Sequence, residues 1–154
     1  MKLFKKLIAA AAGLAYIFVV GYCSGILTDT ATEFYTGLKQ APFLPPDAAF
    51  PIVWSIIYVL LGILVAVGVY RPELRKSLLL LGGLGALNIL WCATFFVWQS
   101  PLAALGILAV QLVVVLVLTG FYIRNTPWLW LAMIPVAAWY VYAFLLNYAV
   151  VLLN

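Results

Sequence analysis

Five apolar runs, each long enough to cross a bilayer, take up most of this chain, and polar breaks separate them. They cover Leu7–Leu27, Phe50–Tyr70, Ser77–Trp98, Leu102–Ile123 and Trp128–Leu152. The breaks "YRPELRK", "QSP" and "RNTP" hold the proline, charge and polar groups that hydrocarbon excludes. Lipid offers the backbone no hydrogen-bond partners, so a spanning segment must be a helix or part of a closed barrel. Runs this long and continuous are helices rather than barrel strands. The expected fold is an all-α integral membrane protein, a five-transmembrane-helix bundle, with residues 1–154 as one membrane domain. With 68% of its 154 residues hydrophobic and only 8% charged, the chain has too little polar surface for a water-soluble domain.

The same composition narrows the chemistry. There is no histidine, and the four acids, Asp29, Glu33, Asp47 and Glu73, all lie outside the apolar runs. Zinc sites and ordinary acid–base catalysis want His, Cys or positioned carboxylates, so no metal site is expected. Cys23 and Cys92 fall inside apolar runs without CxxC spacing and read as small apolar residues. The net charge of +4 forms no basic stripe, which argues against nucleic acid as a partner. The basic residues cluster instead at span ends. Lys2, Lys5, Lys6, Arg71, Arg75, Lys76 and Arg124 fall on one side, and Lys39 alone falls on the other. The positive-inside rule then puts the N-terminus in the cytoplasm and the C-terminus outside, in a bacterial cell membrane. The N-terminal run exceeds a signal-peptide core, and Tyr22 precedes Cys23 where a lipoprotein site wants a small residue. It is expected to stay as the first span.

The one long loop, residues 28–49, is external under this orientation. It leads into "APFLPPDAAFPIVW", with four prolines between positions 42 and 51. A rise of about 1.5 Å per residue lets depth be traced along each span. Trp54 and Tyr58 share a face in the loop-side half of span two. In span three Asn88 lies near the middle, and Trp91 and Phe95 follow on the same face in the loop-side half. Gln111 lies near the middle of span four, and Trp139, Ala143 and Asn147 follow one another at spacings of four in span five. Trp98, Trp128 and Trp130 sit at span ends and read as an interfacial belt. The amides have two readings: glue between helices, or polar contacts in a pocket with flat aromatic walls.

These residues carry a resemblance. "FYTGLKQAPFLPP", "FPIVWSIIY", "NILWCATFF" and "IPVAAW" followed by Ala143, "LN" and Asn154 are similar, in order and spacing, to the pattern of the TspO/MBR family. These are the translocator proteins, also called tryptophan-rich sensory proteins. The chain departs from that pattern at Gln40-Ala41, with Pro42 one place late, at Ala93 and at Val136. The cholesterol-recognition pattern lacks its basic residue in "LNYAVVLLN", while "LTGFYIR" fits its loose consensus.

The resemblance implies a five-helix bundle, often dimeric, whose pocket binds porphyrins and other planar apolar ligands. It carries over to Tyr35, Trp54, Asn88, Trp91 and Trp139, and together with the residues at the same depth and the loop the expected ligand-binding set is Tyr35, Pro42, Trp54, Tyr58, Asn88, Trp91, Phe95, Trp139, Ala143 and Asn147, under a lid formed by loop 28–49. It also links light-dependent porphyrin breakdown to Trp54 and Trp139. Gly82 and Ala86, at small-xxx-small spacing, point to a homodimer through span three. A small-molecule transporter and a ligand-free regulatory partner are the rival readings. No intramembrane charge and no repeat favours the transporter.

Overall fold

The computed structural model describes residues 2–154. It contains six α-helices: α1 (Lys2–Leu27), α2 (Glu33–Gly37), α3 (Ala49–Tyr70), α4 (Lys76–Cys92), α5 (Pro101–Asn125) and α6 (Met133–Leu153). Five of them are long and apolar enough to span a membrane, α4 together with the turn that continues it to Val97. They fall on the five runs read from the sequence. Most of their ends extend slightly further, because a helix does not stop where hydrophobicity stops, but α6 starts at Met133 rather than Trp128, after a 3-10 turn over Leu129–Ala132, and the third span ends at Val97 rather than Trp98. α1 begins at Lys2 rather than Leu7, since lysines on a first turn keep their ammonium groups in water. Prolines mark the helix starts, where no intrahelical N–H partner is lost: Pro101 opens α5, and Pro51 and Pro135 lie in the first turns of α3 and α6.

The helices close into a ring. α1 packs on α3 and α4, α5 packs on α4 and α6, and α6 returns to α3. Glycine sets two of the closest approaches. A β-carbon on Gly13 would lie 2.5 Å from the Gly62 carbonyl oxygen, so only glycine lets α1 and α3 touch at backbone distance. A β-carbon on Gly85 would meet Val20 and the Tyr16 ring at 2.8 to 3.0 Å, which fixes α1 against α4. Further along the α1–α3 seam the helices separate. A β-carbon on Gly21 would reach only the Tyr58 ring, at 3.4 Å, and Gly25 has nothing within 4 Å. The seam is therefore tight away from the long loop and open beneath it. The core at mid-bundle is aliphatic and aromatic, with Ile57, Leu61, Leu84, Leu108, Val136 and Tyr140 fully or almost fully shielded.

α4 does not end as a regular α-helix. Ala93–Val97 form a π turn, in which the Trp98 amide donates to the Ala93 carbonyl at 2.9 Å. Gln99 follows with φ 53°, the left-handed conformation that ends a helix, and Pro101 starts α5 at once. The wide turn brings two consecutive phenylalanines toward one neighbour. Trp91 lies 5.8 Å from Phe95 and 6.0 Å from Phe96, ring centre to ring centre.

The loop between α1 and α3 is ordered by its own sequence. Asp29 Oδ1 accepts from the Ala31 amide at 2.9 Å, and the Thr32 hydroxyl caps α2 by accepting from the Tyr35 amide at 3.2 Å. α2 then lays Phe34 on Phe95 and Tyr35 on Phe96, with centroids 6.1 and 5.7 Å apart. Pro42 occupies the second position of a turn closed by the Leu44 amide on the Ala41 carbonyl at 3.0 Å, where its fixed φ belongs. Two contacts, one from α6 and one from the residue that caps it, hold the rest. The Tyr142 hydroxyl donates to the Phe43 carbonyl at 2.7 Å. Asn154 accepts from the Lys39 amide at 2.9 Å and donates to the Lys39 carbonyl at 3.2 Å.

Candidate functional site

Beneath this loop lies a cavity in two lobes that share Tyr35, Phe50, Trp54, Trp91 and Phe96. The larger lobe has a volume of about 750 Å³, within the size range of small-molecule sites, and occupies the open part of the α1–α3 seam. Phe18 and Tyr22 on α1 and Val59 on α3 are exposed along its edge, so it opens sideways out of the bundle. The smaller lobe, about 60 Å³, runs under Gln40 and Leu44 toward α6.

Trp54 stands where the lobes meet. Its ring stacks on Tyr58 at 5.6 Å with 25° between planes, as the four-residue spacing predicts. It meets Trp91 at 6.3 Å, and meets Tyr140 and Trp139 edge-on at 5.6 and 6.2 Å. Trp91 is fixed in turn by its indole N–H, which donates to Asn147 Oδ1 at 3.1 Å. The Asn147 amide group donates to the Pro101 carbonyl at 2.9 Å, so one side chain ties α4, α5 and α6 together at the cavity.

Of the residues singled out from the sequence, Tyr35, Trp54, Tyr58 and Trp91 line the larger lobe. Phe95, Ala143 and Asn147 line the smaller one. Three others lie off the walls. Pro42 is exposed and shapes the loop turn instead. Asn88 is buried one layer behind the wall, where its amide group donates to Tyr58 Oη at 2.8 Å and to Ser24 Oγ at 3.1 Å. Trp139 backs Trp54 and Phe50 rather than facing either lobe, and its indole N–H is buried without a hydrogen-bond partner. Sequence spacing put Trp139 on a stripe with Ala143 and Asn147, but eight residues carry a helix face about 80° past two full turns. Gln111 is fully buried, away from both lobes, and neither end of its amide has a partner.

The sequence reading missed the wall given by α1. Ile17, Gly21, Ser24 and Gly25 line the larger lobe, yet small and weakly polar residues in an apolar run look like packing residues. The available signal was the spacing Gly21, Ser24, Gly25, which leaves a shallow face along one side of that helix. Phe50, Phe96 and Leu146 were missed as well.

The Tyr35 hydroxyl is pushed above the ordinary tyrosine range, first by burial under the loop and then by the negative charge of Asp47. The walls otherwise offer stacking surfaces, hydroxyls, the Cys92 thiol and two amides, Gln40 and Asn147. Such walls can stack against a ligand and hydrogen-bond to it.

Five spans around an aromatic cavity, closed at one end by a proline-stiffened loop, define a membrane protein of the tryptophan-rich binding class. A sequence model of the TspO/MBR family matches residues 12–153, and the chain belongs to that family. It is 30% identical over 156 aligned residues to the Tryptophan-rich protein TspO of Chlorobaculum tepidum, covering 97% of this chain and 98% of that one. It is also 30% identical to the protein of the same name from Archaeoglobus fulgidus, over 93% of this chain and 95% of the relative.

Proposed function

We propose that this protein is a membrane-embedded binding protein or sensor for porphyrins and other planar apolar ligands, with the loop over the cavity acting as its lid. The observation that carries the reading is the 750 Å³ cavity walled by Trp54, Tyr58, Trp91 and Phe96. Stacking and dispersion on such rings supply affinity without ionic contacts. The chain has no histidine, so an iron porphyrin would find no imidazole ligand, and a metal-free macrocycle suits the walls equally well. Bound porphyrin, light and dioxygen together would supply an oxidising chemistry of the ligand's own. Trp54 on the wall and Trp139 behind it are the indoles placed to take part. In this reading the lid faces the outside of a cell membrane and the basic ends of the bundle face the cytoplasm.

The test is a titration of the purified protein with a metal-free porphyrin, followed by its Soret band. Saturable binding near one equivalent per chain is expected, with faster photobleaching of bound than of free porphyrin. The double variant Trp54→Phe/Trp139→Phe is expected to slow that bleaching. Absence of saturable binding, or bleaching identical in both proteins, would remove the assignment.

The lipid-facing side of α4 favours a homodimer within the same reading. Gly82 and Ala86 are exposed, and a β-carbon on Gly82 would meet nothing within 4 Å, which leaves room for a second backbone. A cysteine at Gly82 is expected to crosslink two copies in native membranes. Monomer alone under oxidising conditions would count against the dimer.

A further inference from the structure

The walls of both lobes hold a single charged side chain, Asp47, which lines the larger lobe at the lid end. No cation neutralises it: among the described residues the one salt bridge joins Arg71 to Glu73, outside the lid loop. The lid carries one lysine, Lys39, whose backbone is held by Asn154 and which lines neither lobe. The same lobe presents Thr28, Thr30, Ser55 and Tyr35, hydroxyls that can accept as well as donate. The Asp47 charge reaches the mouth, where it adds to burial in pushing the Tyr35 hydroxyl above the ordinary tyrosine range. Asp47 is exposed at this rim, so water screens part of its charge, and the remainder biases which head group comes to rest there.

We propose that Asp47 selects the polar head of the ligand, and that the larger lobe takes a flat apolar body bearing a protonated amine at the lid end in preference to one bearing carboxylates. The proposal rests on the cavity being the planar-ligand site, and it narrows which members of that class fit. A dicarboxylate would bring like charge against Asp47, with no wall lysine or arginine to receive it. An amine would complete the ion pair that the chain leaves open, with the hydroxyls of the lobe as further acceptors. Asp47 here is a specificity residue. The affinity itself comes from the aromatic walls.

Three porphyrins with one macrocycle test it: the free dicarboxylate, its dimethyl ester and a diamine derivative. Each is titrated at pH 7 into the full chain in discs of neutral phosphatidylcholine, so that lipid charge does not contribute. In the wild type the diamine is expected to bind most tightly and the dicarboxylate least. Asp47→Asn should shrink the diamine-to-dicarboxylate ratio about threefold, and Asp47→Lys should shift it about tenfold toward the dicarboxylate. The ester should be unmoved by either variant. Ratios unchanged in both variants while the ester still binds would overturn the role of Asp47 and leave the cavity reading intact. A ratio shift of the same size in Glu33→Gln, outside the walls, would overturn it too, by showing only the bulk charge of the loop. Failure of the ester to bind the wild type would overturn the cavity reading and this proposal with it.

Discussion

Replacing Trp54 with alanine is expected to weaken planar-ligand binding about thirtyfold, corresponding to roughly 2 kcal/mol. Trp54 is one of few residues on the walls of both lobes, and its ring is in contact with those of Tyr58, Trp91, Trp139 and Tyr140. Its removal takes away a stacking surface and also lets its neighbours relax into the space, so the remaining wall loses its flatness. Trp54→Phe keeps a ring at the same place and should recover most of the affinity. A titration with a neutral planar ligand, run beside a thermal unfolding curve in detergent, separates lost affinity from lost fold. Equal affinity in wild type and Trp54→Ala would show that the ligand sits elsewhere.

Asn88→Ala should produce the largest loss of stability, about 2 kcal/mol. Asn88 is almost fully buried, and its amide group donates to Ser24 on α1 and Tyr58 on α3, while the Tyr140 hydroxyl on α6 donates to its carbonyl oxygen at 3.5 Å. Interhelical hydrogen bonds in membranes average only about 0.6 kcal/mol each, but three converge here and all would be lost together. Asn88→Asp should be worse than alanine, because it removes the amide donor and buries a carboxylate among apolar helices. The expected order of thermal midpoints is wild type, then Asn88→Ala, then Asn88→Asp. Alanine matching the wild type would mean that the hydroxyls find new partners and that the amide is not a hub.

The five spans were legible because their signal is composition over some twenty residues, which local detail does not disturb. The cluster of aromatics at one depth was legible for a related reason: rise per residue is constant, so residues counted from span ends come out level. Direction around each helix was harder. Trp54 and Tyr58 are one spacing apart and do share a face, but Trp139 drifts away from Asn147 over two spacings, toward the back of Trp54. The π turn at Ala93–Val97 is invisible to a reading that assumes 3.6 residues per turn throughout, yet it brings Phe95 and Phe96 together around Trp91. The wall from α1 was hidden because Gly21, Ser24 and Gly25 contribute shape rather than chemistry. Asn88 and Asn147 were read as either glue or pocket lining. The geometry gives them different places, Asn88 behind the wall and Asn147 on it, and both bond across helices.

The clasp between Lys39 and Asn154 joins residues 115 positions apart. That separation imposes a timetable on the site. A ribosome releases the loop and the first aromatic walls long before it reaches the residues that fasten them, and Tyr142 and Asn154 arrive with the final helix. Until then the loop has no anchor on that side, and Trp91 lacks the Asn147 carbonyl that orients it. The nascent chain therefore carries the cavity's surfaces without its closure, and the finished cavity comes with insertion of the last span.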